Sequence, residues 1–230
     1  MSTEKFKNAP SLQHLVRMIR PTAVKTANAI LAPKPRKNIW KARDYVFAVL
    51  SGMSPEQAIA NAMSDSRTDI RKTALETIPL IEQYFIDHDF GWFRRIDPIV
   101  HQVSPSVSIP IKPMGVAKVD GKIVILWPQL WKTISLTPEQ FNIIASYLKL
   151  GILDKFPDYE DFHWLEMSVP KGKKERELRV RTIETAQLLA PEELRRIEKV
   201  IEEALLIASK APTKPEKPAK PKDPDQGFLL

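Results

Sequence analysis

Residues Ile123 to Trp127 read Ile-Val-Ile-Leu-Trp, five apolar side chains in succession. Successive residues of a strand point to opposite faces, so such a strand needs cover on both. It is expected at the centre of a sheet. Asp120-Gly121, just before it, is a favoured two-residue hairpin turn. Met114 to Val119 is therefore its expected antiparallel partner, and Val107, Ile109 and Ile111 alternate in a further strand pattern.

Helical signals surround this sheet. Ser11 stands before an apolar stripe of Leu15, Met18 and Ile19, Pro21 interrupts it, and a short helix is expected from Thr22 to Leu31. Trp40 to Leu50 has helical spacing. Ser54-Pro-Glu-Gln57 and Thr137-Pro-Glu-Gln140 both read as capping boxes with proline at the first helical position. A helix from Asp69 to His88 is expected to kink at Pro79. The helix after Thr137 is expected to end at Gly151. Trp164 to Val169 and Leu178 to Arg181 are expected strands joined by a charged turn. A last helix should run from Pro191 to about Lys210, and the Pro/Lys-rich tail from Ala211 is expected to be disordered. The reading is an α+β fold: N-terminal helices, then a small mixed sheet flanked by helices. Its divisions are a basic arm (1–39), one α+β domain (40–210) and the tail (211–230). A chain of 230 residues with 43% apolar content can build one sizeable core.

Charge is unevenly placed. Lys5 to Arg43 holds ten Lys or Arg and no Asp or Glu, which leaves 25 basic against 28 acidic residues elsewhere. Such a segment neutralises phosphates with release of counterions, so nucleic acid is the expected partner. An acidic protein surface, an anionic lipid or an organelle transit segment would draw on the same charge, although Glu4 and a modest serine content weigh against the last. No run of 18 apolar residues exists, so no membrane partner is expected. Cysteine is absent, which excludes disulfides and thiolate-bound zinc and fits a reducing, cytoplasmic compartment.

No nucleotide-binding glycine loop, serine-hydrolase elbow or zinc-protease motif occurs, and no cofactor is expected. The order is helices, strand, hairpin, capped helix, strand with charged partner, closing helix. Together with Gly115-Val-Ala-Lys118 on the hairpin, it resembles the RecB-like branch of the PD-(D/E)XK nuclease superfamily, over about Trp40 to Ser209. The resemblance implies a Gly-x-x-Asp on one hairpin strand and an Asp/Glu-x-Lys at the end of the next, which hold a divalent metal and its attacking water. Here Lys118 takes the Asp place, and Trp127-Pro128-Gln129 stands where carboxylate and lysine are needed. The branch's Gln-x-x-x-Tyr is also missed, since Ile144 follows Gln140 and Ile143 precedes Tyr147. Asp120-Gly-Lys122, the one Asp/Glu-x-Lys in the chain, coincides with the hairpin turn. The resemblance therefore implies a scaffold without catalysis, with no catalytic or metal-binding residues.

Three further segments have two readings each. Asp154, Asp158, Glu160, Asp161 and Glu166 with His163 form either a hard-cation site or a solvated acidic loop. Gly52 to Lys72, with Arg67, Arg71 and Lys72, is either a helix-turn-helix or a helical hairpin of the core. Lys171 to Arg181 is either a phosphate-contacting hairpin or a charge-protected edge. The candidate nucleic-acid contacts are Arg17, Arg20, Lys25, Lys34, Arg36, Lys37, Lys41, Arg43, Lys171, Lys173, Lys174 and Arg176. The expected function is nucleic-acid binding on an inactive nuclease-like scaffold. The alternatives are an adaptor protein in a phage-type or mobile-element assembly, and a nuclease with a relocated site at Asp120, Lys122 or the 154–166 carboxylates.

Overall fold

In the computed structural model, which describes residues 10–32, 40–112, 115–132 and 136–211, the apolar run is the middle strand of a five-stranded mixed sheet. This strand, β5 (Lys122–Gln129), pairs antiparallel with β4 (Gly115–Val119) through the Asp120-Gly121 turn. Both turn residues have positive φ, 50° and 81°, as a type I′ hairpin requires. β1 (Phe90–Arg95) adds antiparallel to β4 as one edge. On its other side β5 pairs in parallel with β6 (Asp161–Ser168), and β7 (Glu177–Arg181) closes the far edge antiparallel to β6. β2 (Ile99–Gln102) and β3 (Ser108–Ile111) form a separate ribbon. Met114, the expected start of β4, and the expected tail beyond Ala211 lie outside the described residues.

Both faces of the sheet are covered. On one, Tyr84 of α5 (Thr68–Asp87) reaches His163 of β6, and Phe47 of α3 (Trp40–Leu50) stacks on Phe93 of β1. α4 (Pro55–Met63) packs behind them, started by Ser54, whose Oγ accepts from Gln57 N–H at 3.2 Å. On the other face α6 (Pro138–Leu148) sets Phe141 against Phe162 and Trp164. Its capping box is formed as expected: Thr137 and Gln140 bond reciprocally. Trp127 lies 5.0 Å from Trp164 and donates its indole N–H to Gln13 of α1 (Leu12–Leu15).

The described part of the basic arm is folded onto the body. Leu12, Leu15 and Val16 are buried in the common core, and α2 (Ala23–Leu31) packs on α7 (Pro191–Lys210). α5 holds Pro79 within its span, at the place of the expected kink. One expectation about helix ends changes. The helix after Thr137 does not stop at Gly151 but continues as a π-helical turn, Lys149–Leu153. Gly151 serves packing there: a Cβ on it would come 3.2 Å from Ile111 Cδ1.

A β-bulge marks β1. Phe90 is paired with Val119 and Trp92 with Lys118, so Gly91 is an extra residue. Without it Phe90 and Trp92 would share a face. With it Phe90 packs on Phe85 and Tyr84, while Trp92 turns to the opposite face and stays 43% exposed.

Candidate nucleic-acid interface

The expected basic contacts separate into groups. Lys34, Arg36 and Lys37 lie outside the described residues. Lys25 is exposed on α2. Arg17 sits 4.1 Å above the Trp131 ring, and burial lowers its pKa. Arg20 donates to the carbonyls of Arg17 and Ile19 and lines a cavity of about 440 Å³ between α1, α6 and α7. Lys41 is bound at 2.5 Å to Asp65, whose carboxyl is held low first by that hydrogen bond and then by the Arg67 N–H.

Lys171, Lys173 and Lys174 are exposed in the β6–β7 turn, where Lys173 is bound to Glu177. Arg176 points inward instead. Its side chain is 4% exposed, its Nε is 2.8 Å from Glu76, and its Nη1 donates to the carbonyls of Leu130 and Met167. Lys132 completes the cluster on the other Glu76 oxygen at 2.6 Å. Arg176 therefore ties the hairpin to α5, with its guanidinium bound inside the protein.

The β1 edge joins one expected contact, Arg43, with two arginines that the sequence reading missed, Arg94 and Arg95. Arg43 and Arg95 both approach the Phe47 ring, at 5.8 and 4.1 Å. Burial draws the Arg43 pKa down to about 10, against the pull of Asp44. Arg95 lies 3.9 Å from Asp44 and remains 57% exposed. Arg94 is exposed on the other face beside Lys118 and Trp92. A glycine between aromatics, Phe90-Gly-Trp92-Phe93, is the sequence signal for the bulge that creates this arrangement. β1 and β7 are opposite edges of the sheet, so the lysines at 171–174 form a separate surface.

The nuclease positions hold no carboxylate. Lys118 is exposed on β4, and Gln129 is buried at the end of β5 beside Glu166. Glu166 faces Arg181 at 3.0 Å and accepts from the Ser168 hydroxyl. The acidic segment is likewise dispersed: Asp154 binds Lys149, Asp161 accepts from Ile183 N–H, and Glu160 accepts from Ile123 N–H. Among the described residues no three His, Asp or Glu converge on a metal position. In the helical hairpin Arg67 binds Asp69, and Arg71 donates to Asp65 O and Thr68 Oγ1.

One polar cluster joins α5 to the sheet. The Tyr84 hydroxyl is 2.6 Å from His163 Nδ1, and His88 Nδ1 donates to Asp120 at 2.6 Å. The two imidazoles are 5.8 Å apart. Burial pushes the Tyr84 phenol up and the His163 imidazole down; Asp161 and Asp120 oppose the latter shift, while His88 and Lys122 add to it. The Asp120 carboxyl is held low by His88 and by the Asp89 N–H. A base with a lowered folded pKa binds fewer protons folded than unfolded. Its stabilisation is complete above the unfolded value of about 6.5 and is lost as pH falls through the folded value. The melting temperature is expected to fall as pH drops below about 6.5, and His163→Gln should flatten that part of the profile. Carboxylates with lowered values titrate below that window.

No helix among the described residues is long and apolar enough to cross a membrane. No family model matches the sequence, and no curated protein matches it. Among solved structures, the "Putative exonuclease" of Eubacterium rectale is similar at 13% identity and a TM-score of 0.48, over 90% of this chain and 82% of that one. SSO0001 is similar at 10% identity and a TM-score of 0.33, over 89% of each chain. Superpositions that loose carry no argument about fold or activity.

Proposed function

We propose that the chain is a nucleic-acid-binding protein on a nuclease-like scaffold that lacks a working metal site. The observation that carries the reading is the set of cations straddling the β1 edge: Arg43, Arg94, Arg95 and Lys118. The end of the acid-free N-terminal window meets β1 there, so charges distant in sequence flank one sheet edge from its two faces. Three antiparallel strands, a crossover helix and a parallel strand support the nuclease-like part. Lys118 and Gln129 support the inactive part. A metal without two carboxylates has no clamp, and a lysine in its place repels it.

Binding to duplex DNA should weaken steeply with salt. The slope of log K against log salt is about −0.9 per phosphate neutralised. Replacing Arg94 and Arg95 together by Ala should flatten it by about two units, with sequence preference unchanged. No Mg²⁺- or Mn²⁺-dependent cleavage is expected. Absence of binding at low salt would overturn the reading in favour of an adaptor. Cleavage abolished by Asp120→Ala would show a relocated catalytic site.

A further inference from the structure

The bulge at Gly91 places a large aromatic ring in solvent on a face where cations surround it. Trp92 is 43% exposed and is in contact with no other aromatic ring among the described residues. Lys118 is its register partner on β4, and Arg94 is two residues along β1 on the same face. Adjacent strands lie about 4.8 Å apart and alternate residues about 6.8 Å apart. The indole is therefore flanked by an ammonium across the ladder and a guanidinium along it. Gly91 is the extra residue that turns Trp92 outward, and the Lys118 stem runs past it, its Cβ, Cγ and Cδ 3.4 to 3.7 Å from where a Cβ would be. Neither Lys118 nor Arg94 has an ion-pair partner among the described residues. Asp120, two residues from Lys118, is bound to His88 and to Asp89 N–H.

An edge strand is ordinarily protected by charge alone, and Arg94 and Arg95 would do that without Trp92. A tryptophan turned outward among cations has the composition of a stacking platform: a π-face for an unpaired base and positive charge for the phosphates beside it. A duplex keeps its base faces stacked and offers the indole nothing. We propose that Trp92 is the base-stacking residue of a single-strand nucleic-acid site, with Lys118 and Arg94 as its phosphate partners. This rests on the nucleic-acid reading above and narrows it to unpaired strands. Single-stranded DNA and single-stranded RNA share the chemistry.

The test measures binding of the full chain to a fluorescently labelled 15-nucleotide DNA, the same sequence in RNA, and the DNA annealed to its complement. Trp92→Ala is expected to weaken binding to an unpaired strand by about 5-fold to over 100-fold, the range of one base stacked on an aromatic ring, while duplex binding is unchanged. Trp92→Phe should restore most of it. Lys118→Ala should instead flatten the single-strand salt slope by about 0.7. The strand that Trp92→Ala weakens more, DNA or RNA, is the one the site takes. Unchanged single-strand binding in Trp92→Ala overturns the inference. So does an equal loss on duplex, which would mark a merely structural residue. If the Arg94/Arg95 double variant still loses duplex binding, the wider reading survives that failure. A parent that binds none of the three probes sinks both.

Discussion

Glu76→Ala is expected to lower stability by about 3 kcal/mol, among the larger single-residue effects in this fold. Arg176 is almost wholly enclosed and makes a charge-assisted bond to Glu76. Removing the carboxylate strands that charge in a medium where it cannot regain its water, which costs about 3–5 kcal/mol when a buried pair is broken from one side. The lower end is expected because the carbonyls of Leu130 and Met167 still accept from Nη1. Lys132, at 39% exposure, can re-enter solvent and should add little. Denaturant unfolding reads the effect as a lower midpoint at unchanged slope. Replacing both partners with apolar residues, Glu76→Leu with Arg176→Met, should recover much of the loss, since no charge is left behind. A single variant within about 0.5 kcal/mol of the parent would mean that Arg176 is solvated in solution.

Gly115→Val should act as strongly by a different route. Gly115 opens β4 opposite Arg95, and a Cβ there would lie 2.4 Å from the Arg94 carbonyl oxygen and 2.5 Å from a Phe93 ring carbon. The ring could turn aside, but the carbonyl belongs to the backbone of the paired strand. Overpacking ordinarily costs about 1–3 kcal/mol, and a clash with backbone should reach at least the top of that range. β1 should separate from β4. Hydrogen exchange would then show lost protection over Phe90 to Arg95 and retained protection across β5 and β6. Uniform loss across all five strands would show that β1 is not a separable edge. Nucleic-acid binding should fall with it, because Arg94, Arg95 and Trp92 leave their places together.

The central strand was legible because five apolar residues in a row can be satisfied only in the middle of a covered sheet. The Asp120-Gly121 turn, both proline-started helices with side-chain caps and the last helix were legible because their signals are local. β1 was not. In Phe90-Gly-Trp-Phe-Arg-Arg95 the extra residue breaks the two-residue alternation, and a bulge is defined by its partner strand. Gly151 misled for a similar reason: at a helix end it looks like a terminator, and only the neighbouring Ile111 reveals it as a packing residue. Arg176 sits in a charged turn and reads as solvated. Its partner Glu76 is 100 residues away, and no window along the chain joins them. His163 belonged to an apparent acidic loop until strand pairing set it opposite Tyr84. What the sequence concealed was in each case a contact between distant segments.

The packing of α2 on α7 bears on how the chain is made. About 160 residues separate the end of α2 at Leu31 from the start of α7 at Pro191. At a synthesis rate of about 5–20 residues per second, α2 waits roughly 10–30 s for its partner to be translated, and longer for it to clear the ribosome. Throughout that interval the apolar stripe of a nine-residue helix has nothing to cover it. A helix so short is marginal alone in water, so α2 should stay uncoiled on the nascent chain and form last. Translating ribosomes stalled before residue 191 should therefore carry a chain open to protease around residues 23–31, and release of the finished chain should close it.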